Sequence, residues 1–187
     1  MDDSVSNPDL ARAAAIGLLL AFVAMIAGAT IWATAGGQDG STPGTARHAW
    51  ERGLLMAAIV LTVLGLLLLA WSLRGSPGFG LVLAGATVSA IAGALGLVEE
   101  ASTVSPSFAA AGWVLTTYVF LAFAGQGIVG FGLVQFGGRL TAAGWILVAW
   151  NIAWPLIVLT FSGDDLYYPV LHHFVLPAVS IPLLTVN

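Results

Sequence analysis

His172 and His173 stand side by side near the end of this 187-residue chain, just after Asp164-Asp165 and Tyr167-Tyr168-Pro169. With His48 and Glu100, they are among the ionisable groups that flank or enter its long apolar runs. Neutral imidazole ligates Zn, Cu and Fe alike, and a carboxylate beside it completes an ion site or fixes a tautomer. His172, His173, His48 and Glu100 are therefore the candidate ligand or metal set, for a divalent metal, a haem iron or a proton. The plainer alternative is that these histidines lie at interfacial depth and hydrogen-bond a neighbouring helix. Adjacent helical positions point about 100° apart, so one ion does not take both residues of the pair. His172 is expected to face the bundle within reach of Glu100 or His48, and His173 to face lipid headgroups or a neighbouring helix.

Pro177 removes a backbone hydrogen bond from the His173 carbonyl and kinks the helix there, and Pro182 repeats the device. Such a helix either lines a cavity or is kinked for packing alone. The second polar feature is Trp150-Asn151-Ile152-Ala153-Trp154-Pro155. Asn151 is expected at mid-membrane, as the lining of a small-molecule or quinone pocket or as packing glue. In the second role it would bond Gln126, Thr116 or Thr117 on the neighbouring span.

Other chemistries are excluded by residue type. The chain has no cysteine, hence no disulfide and no thiolate ligand. It has no lysine, hence no Schiff-base chemistry. Walker loop, zinc-protease and GxSxG motifs are absent, so no catalytic residue is assigned. The net charge of −4 comes without a basic patch, which excludes nucleic acid as a partner.

The elements that must position these groups are membrane helices. Only 7% of the residues are charged, against about 25% in ordinary soluble chains. The mean hydropathy is +0.98. The apolar runs each approach the roughly 20 residues that cross a bilayer. The expected fold is all-α: a single polytopic bundle over 1–187 with six transmembrane helices near 10–35, 48–73, 78–100, 107–134, 141–161 and 166–186. Asn7-Pro8-Asp9 reads as cap, first-turn proline and first-turn acid. Ser76-Pro77 and Ser105-Pro106 read as the same device opening helices three and four. Met1-Asp2-Asp3-Ser4 lacks a basic signal region, so the first run is expected to be a retained helix despite Ala33-Thr34-Ala35.

Close packing in lipid requires small residues. Gly85, Ser89 and Gly93 form one row on helix three, beside Ala86, Ala90 and Ala94. Helix four adds Gly125, Gly127, Gly130 and Gly132. Glu100 continues the row and is expected in the bundle mouth, with Glu99 in solvent. Arg74 and Arg139 stand at the same separation as Glu99-Glu100 and Asp164-Asp165, which suggests that helices two and three repeat as four and five.

Helices four to six resemble a group of bacterial multi-pass membrane proteins from high-GC lineages. The shared features are the basic turn Gly138-Arg139-Leu140-Thr141-Ala142-Ala143-Gly144-Trp145 and the His- and Pro-containing start Tyr168-Pro169-Val170-Leu171-His172-His173. That group has no agreed activity, so the resemblance implies the architecture and carries no mechanism.

Three functional classes fit these features. The leading one is a non-enzymatic bundle, an accessory or ligand-binding subunit of a larger membrane assembly. The others are a metal- or haem-binding redox protein and a small-molecule transporter. The expected partners are the lipid bilayer and other membrane subunits, in a plasma or inner membrane. Arg12, Arg74 and Arg139 place both termini on the cytoplasmic side by the positive-inside rule. Reporter fusions at Asn187 and within 36–45 are therefore expected to read cytoplasmic and extracytoplasmic, respectively. An external Asn187 would remove the extracytoplasmic placement of the histidines.

Overall fold

The computed structural model describes residues 5–35, 42–105, 110–161 and 171–185, and all its regular elements there are helices. They are α1 (Pro8–Thr34), α2 (Ala46–Ser72), α3 (Phe79–Val104), α4 (Trp113–Phe136), α5 (Leu140–Phe161) and α6 (Leu176–Leu184). The first five are long and apolar enough to cross a bilayer. The protein is a helical membrane bundle, as its composition requires.

The helix starts follow local chemistry, though not always at the expected residue. Asn7 caps α1 as expected, its Oδ1 accepting from Leu10 N at 3.0 Å, with Pro8 in the first turn. Thr45 caps α2 through His48 N. Ser76 does not cap α3; its hydroxyl donates back to the Leu73 carbonyl, and Phe79 opens the helix after Gly78. Gly78 has φ +82, a left-handed backbone that favours glycine. Ser105 ends α3 instead of opening α4. Residues 110–112 are not helical, so α4 begins at Trp113 and not near 107; Pro106 and Ser107 lie outside the described residues.

Glycine decides how the helices meet. A Cβ on Gly85 would stand 2.5 Å from the Gly125 carbonyl oxygen, and one on Gly78 would collide with the Gly132 carbonyl. These two pairs lie one heptad apart on each helix and fix α3 antiparallel to α4. Gly130 and Gly144 bring α4 equally close to α5, where a Cβ on Gly130 would lie 2.7 Å from the Gly144 oxygen. With no hydrophobic force between helices in lipid, this close dispersion contact supplies much of the association energy.

Each helix packs against its neighbours in the chain, and α6 packs on both α1 and α5, which closes a ring. Leu18, Leu66, Val82, Val129, Leu147 and Val179, one from each helix, share the central core. Ser6 Oγ donates to the Ser72 carbonyl at 2.7 Å, and Arg139 donates to the Thr185 carbonyl at 3.3 Å. Together with the Gly78–Gly132 contact, these bonds put Ser6 and Thr185 on one face, called here the N-terminal face; Glu100 lies toward the other. Exposed Trp71 and Trp145 mark the first face, and exposed Trp50 and Trp113 the second, as interfacial tryptophans do. Arg47 donates to the Ile31 carbonyl and the Thr34 hydroxyl, closing the C-terminus of α1.

The expected repeat fails at its glycines. If α2 and α3 repeated as α4 and α5, Gly65 and Gly130 would face equivalent neighbours. Gly65 instead packs on Leu18 of the preceding α1, while Gly130 packs on Gly144 of the following α5. Asp164 and Asp165 lie outside the described residues.

Gly85→Ala is expected to destabilise the bundle by about 1–3 kcal/mol, because the methyl meets backbone that cannot rotate away. Gly80→Ala, on α3 with nothing within 4 Å of the new methyl, should be neutral or stabilise by up to about 1 kcal/mol. Unfolding of both variants in the same detergent checks the contrast.

Candidate functional site

Antiparallel α2 and α3 bring the start of one beside the end of the other, so Arg52 and Glu100 arrive at one level. Arg52 Nη1 donates to Glu100 Oε2 at 3.0 Å, and its Nη2 lies 3.5 Å from Glu51 Oε1. Both carboxylate side chains are 1% exposed and the guanidinium 16%. Glu100 thus enters the bundle, as the row through Gly93 requires, and Glu99 is only half-buried. Its partner, however, is an arginine where the sequence reading gives it a histidine. A buried carboxylate gains most from the planar fork of Arg, which stays charged and meets its oxygens along their lone pairs.

The other Glu100 oxygen, Oε1, is buried and makes no hydrogen bond. One turn deeper, Gly96 lets the Tyr118 ring of α4 lie against α3, at a position where a Cβ would stand 2.8 Å from the ring. The Glu100 charge acts on the Tyr118 hydroxyl, which is itself buried and makes no hydrogen bond. Beside Tyr118 a small pocket of about 10 Å³, room for roughly one water-sized body, lies between α2, α3 and α4. Thr62, Ser89, Gln126 and His172 contribute its polar wall. The Thr62 hydroxyl is spent on its own helix, donating to the Ala58 carbonyl. Ser89 Oγ and Gln126 Oε1 are buried with no protein partner. Unpaired buried polar atoms each cost about 1–3 kcal/mol, and here several border one space. One turn nearer the N-terminal face the walls are Leu66, Ala86 and Val129, all fully buried and apolar, so the polar pocket ends there.

The two histidines depart from expectation. Both are buried, His172 at 4% and His173 at 1% exposure. They lie in consecutive turns before α6 and not on a regular helix. Their rings come within 3.9 Å of each other at 41°, where helical neighbours would diverge. His172 does face the bundle: it meets Tyr118 edge-on at 5.8 Å and Phe123 at 6.1 Å. His173 is buried within the protein, which leaves the neighbouring-helix half of its expected surroundings and not the headgroups. Its carbonyl, which Pro177 leaves without the helical bond, is taken by Leu176 N at 3.2 Å in a tighter turn. Trp150 holds this segment from α5, its Nε1 donating to the Leu171 carbonyl at 2.9 Å.

His48 is buried and its Nε2 lies 3.1 Å from the Thr103 carbonyl, a link between α2 and the end of α3. Asn151 is buried but bonds neither Gln126 nor the Thr116-Thr117 pair. Its Nδ2 donates to Leu147 of its own helix at 2.8 Å, and the residue packs over Gly127. Among the described residues, no three His, Asp or Glu side chains gather to hold a metal ion.

Arg52, Glu51, Tyr118 and Ser89 are the members that sequence reading missed as a site. Arg52 and Glu51 stand one to two turns inside α2, and counting turns from the facing ends of antiparallel α2 and α3 would have paired Arg52 with Glu100. No signal marked Tyr118. Comparison with known proteins adds nothing to the site: no family model, curated protein or solved structure matches the chain.

Arg52→Met removes the guanidinium that two buried carboxylates share and is expected to cost about 3–5 kcal/mol. Glu100→Gln leaves Arg52 with Glu51 and a neutral acceptor, and should cost clearly less. Denaturant titration of the two variants in detergent measures the order; equal costs would mean that Glu51 contributes nothing to holding Arg52.

Proposed function

We propose that the chain is a non-enzymatic, ligand-binding membrane bundle whose site is the pocket bounded by Tyr118, Ser89, Gln126 and His172. One observation carries this reading: Ser89, Gln126 and Tyr118, each with a buried side-chain oxygen that makes no hydrogen bond within the protein, line one small, partly open pocket. A bundle made for packing alone would spend such groups on backbone carbonyls, as Thr62, Ser72 and Ser180 are spent here. Hydroxyls and an amide recognise a hydrogen-bonding guest, and the aromatic walls of Tyr118 and His172 limit its size.

The helices are joined by short connections, so binding in the pocket acts on other proteins through helix surfaces. This suits an accessory subunit of a larger membrane assembly. The arginine placement supports a plasma or inner membrane with both termini cytoplasmic, and the pocket then opens toward the extracytoplasmic side.

Because the chain has no cysteine, Ser89→Cys introduces one isosteric thiol into the pocket wall. Ag⁺ added to the folded protein is expected to block later maleimide labelling of this thiol in denaturant. Ala86→Cys, one turn away in the apolar core, should stay unblocked. If both thiols remain unblocked, the pocket does not admit a solute of that size and the reading fails.

A further inference from the structure

Size sets the first limit on what the pocket takes. A space of about 10 Å³ holds one water-sized body, which excludes quinones, haem and most metabolites. Charge sets the second. No Asp, Glu or Arg lines the pocket, and the chain has no lysine. An ion there would be buried with no countercharge in the wall, which is costly in a protein interior. The guest is therefore neutral.

Hydrogen bonding sets the third, and the level of each group along the bundle decides which groups take part. Ser89 packs on Gly125, where an added Cβ would collide with the Ser89 hydroxyl and crowd its backbone nitrogen. Gln126 is the next residue of α4, so Ser89 and Gln126 lie at one level on facing helices. Both line the pocket, and they are 5% and 1% exposed. Neither Ser89 Oγ nor Gln126 Oε1 makes a hydrogen bond, to the other or to any protein group. Side chains lean toward the N-terminus of their own helix, so Gln126 leans toward Ala122 and the pocket.

Thr62 supplies the α2 side of the wall. Its proton goes to the Ala58 carbonyl at 2.8 Å, which leaves its oxygen able to accept a bond. Tyr118 stands at another level. Its ring packs on Gly96, roughly 10 Å along α3 from Ser89, so it walls the pocket and its hydroxyl takes no part. The amide oxygen of Gln126 can only accept, whereas the Ser89 hydroxyl can donate. The guest must therefore both donate and accept, which an apolar gas cannot do.

We infer, resting on the ligand-binding reading for the site, that the pocket binds one water molecule. It donates to Gln126 Oε1 and to the Thr62 oxygen, and it accepts from the Ser89 hydroxyl. Three bonds are what a buried water typically makes, and these come from α4, α2 and α3. They give Ser89 and Gln126 a link that the two side chains do not make directly. α3 starts at Phe79, so Ser89 lies about 15 Å along it. The water is thus held about half-way across a bilayer core.

Two measurements on the folded protein in detergent micelles test this. The chain has three glutamines, Gln38, Gln126 and Gln135, so ¹⁵N-glutamine labelling leaves three side-chain amides to resolve. Gln38→Asn and Gln135→Asn identify the Gln126 amide by elimination. In the rotating frame, its protons should show a cross-peak to water with the sign of a dipolar contact, opposite to that of exchange. The second measurement is a double-mutant cycle by denaturant titration. Ser89→Ala and Gln126→Met each remove one partner of the water and should each lower the folding equilibrium constant about tenfold. The double variant leaves neither oxygen buried and should cost about as much as one single variant, not their product.

Both results are required. A parent without the cross-peak, or variants whose effects multiply, overturns the water assignment. If Ag⁺ still blocks Ser89→Cys in that case, the pocket remains a ligand site with a different guest. A cross-peak and coupled variants beside an unblocked Ser89→Cys would keep the water as a fixed part of the bundle. That outcome would remove the ligand-binding reading and not the water.

Discussion

The approach of α3 to α4 is the contact on which the rest depends. At Gly78–Gly132 and Gly85–Gly125 the two backbones meet with no side chain between them. Helices this close gain dispersion contact along their length, the main source of association where lipid competes for apolar surface. The register they set places Ser89 against Gly125 and Tyr118 against Gly96. The pocket is the space left where this tight seam loosens toward α2. The contact that holds the bundle together is therefore also the one that aligns the polar wall.

Polar groups in this protein divide into two kinds by what they bond. Thr30, Thr62, Thr87, Asn151 and Ser180 each donate to a carbonyl one turn back on their own helix. That arrangement satisfies the donor without help from any neighbour, although the Asn151 Oδ1 stays buried without a hydrogen bond. Arg52, Glu100, His48 and Trp150 bond across elements. These longer bonds tie α2 to α3 and α5 to the segment entering α6. Ser89 Oγ, Gln126 Oε1 and Tyr118 Oη make neither kind of bond, and Glu100 Oε1 and Asn151 Oδ1 are likewise buried without one.

The segment before α6 shows how proline redirects a chain. With its nitrogen blocked, Pro177 cannot continue a regular ladder back to His173, and the backbone tightens into turns. The tightening swings His173 beside His172 instead of a third of a turn away. Trp150 fixes the result by reaching from α5 to the Leu171 carbonyl. His172 reaches the far wall of the pocket only because the ring of helices closes, with α6 seated on both α1 and α5.

Much of the architecture was legible in the chain itself. Runs of apolar residues with almost no charge must be membrane helices, because an unpaired backbone cannot lie in lipid. The rows through Gly85, Ser89 and Gly93, and the burial of Glu100, followed from helical periodicity alone, and so did the Asn7 cap. What the chain could not reveal was which neighbour each group meets. The sequence reading set Glu100 beside a histidine, and only the pairing of α2 with α3 selected Arg52. Gly65 and Gly130 look equivalent in sequence and pack on opposite neighbours. Asn151 had an interhelical role available and took a local one, and Tyr118 carried no mark of its place between carboxylate and pocket. Periodicity is a property of one helix and can be read along it, whereas contact is a property of two and depends on the register their backbones settle into.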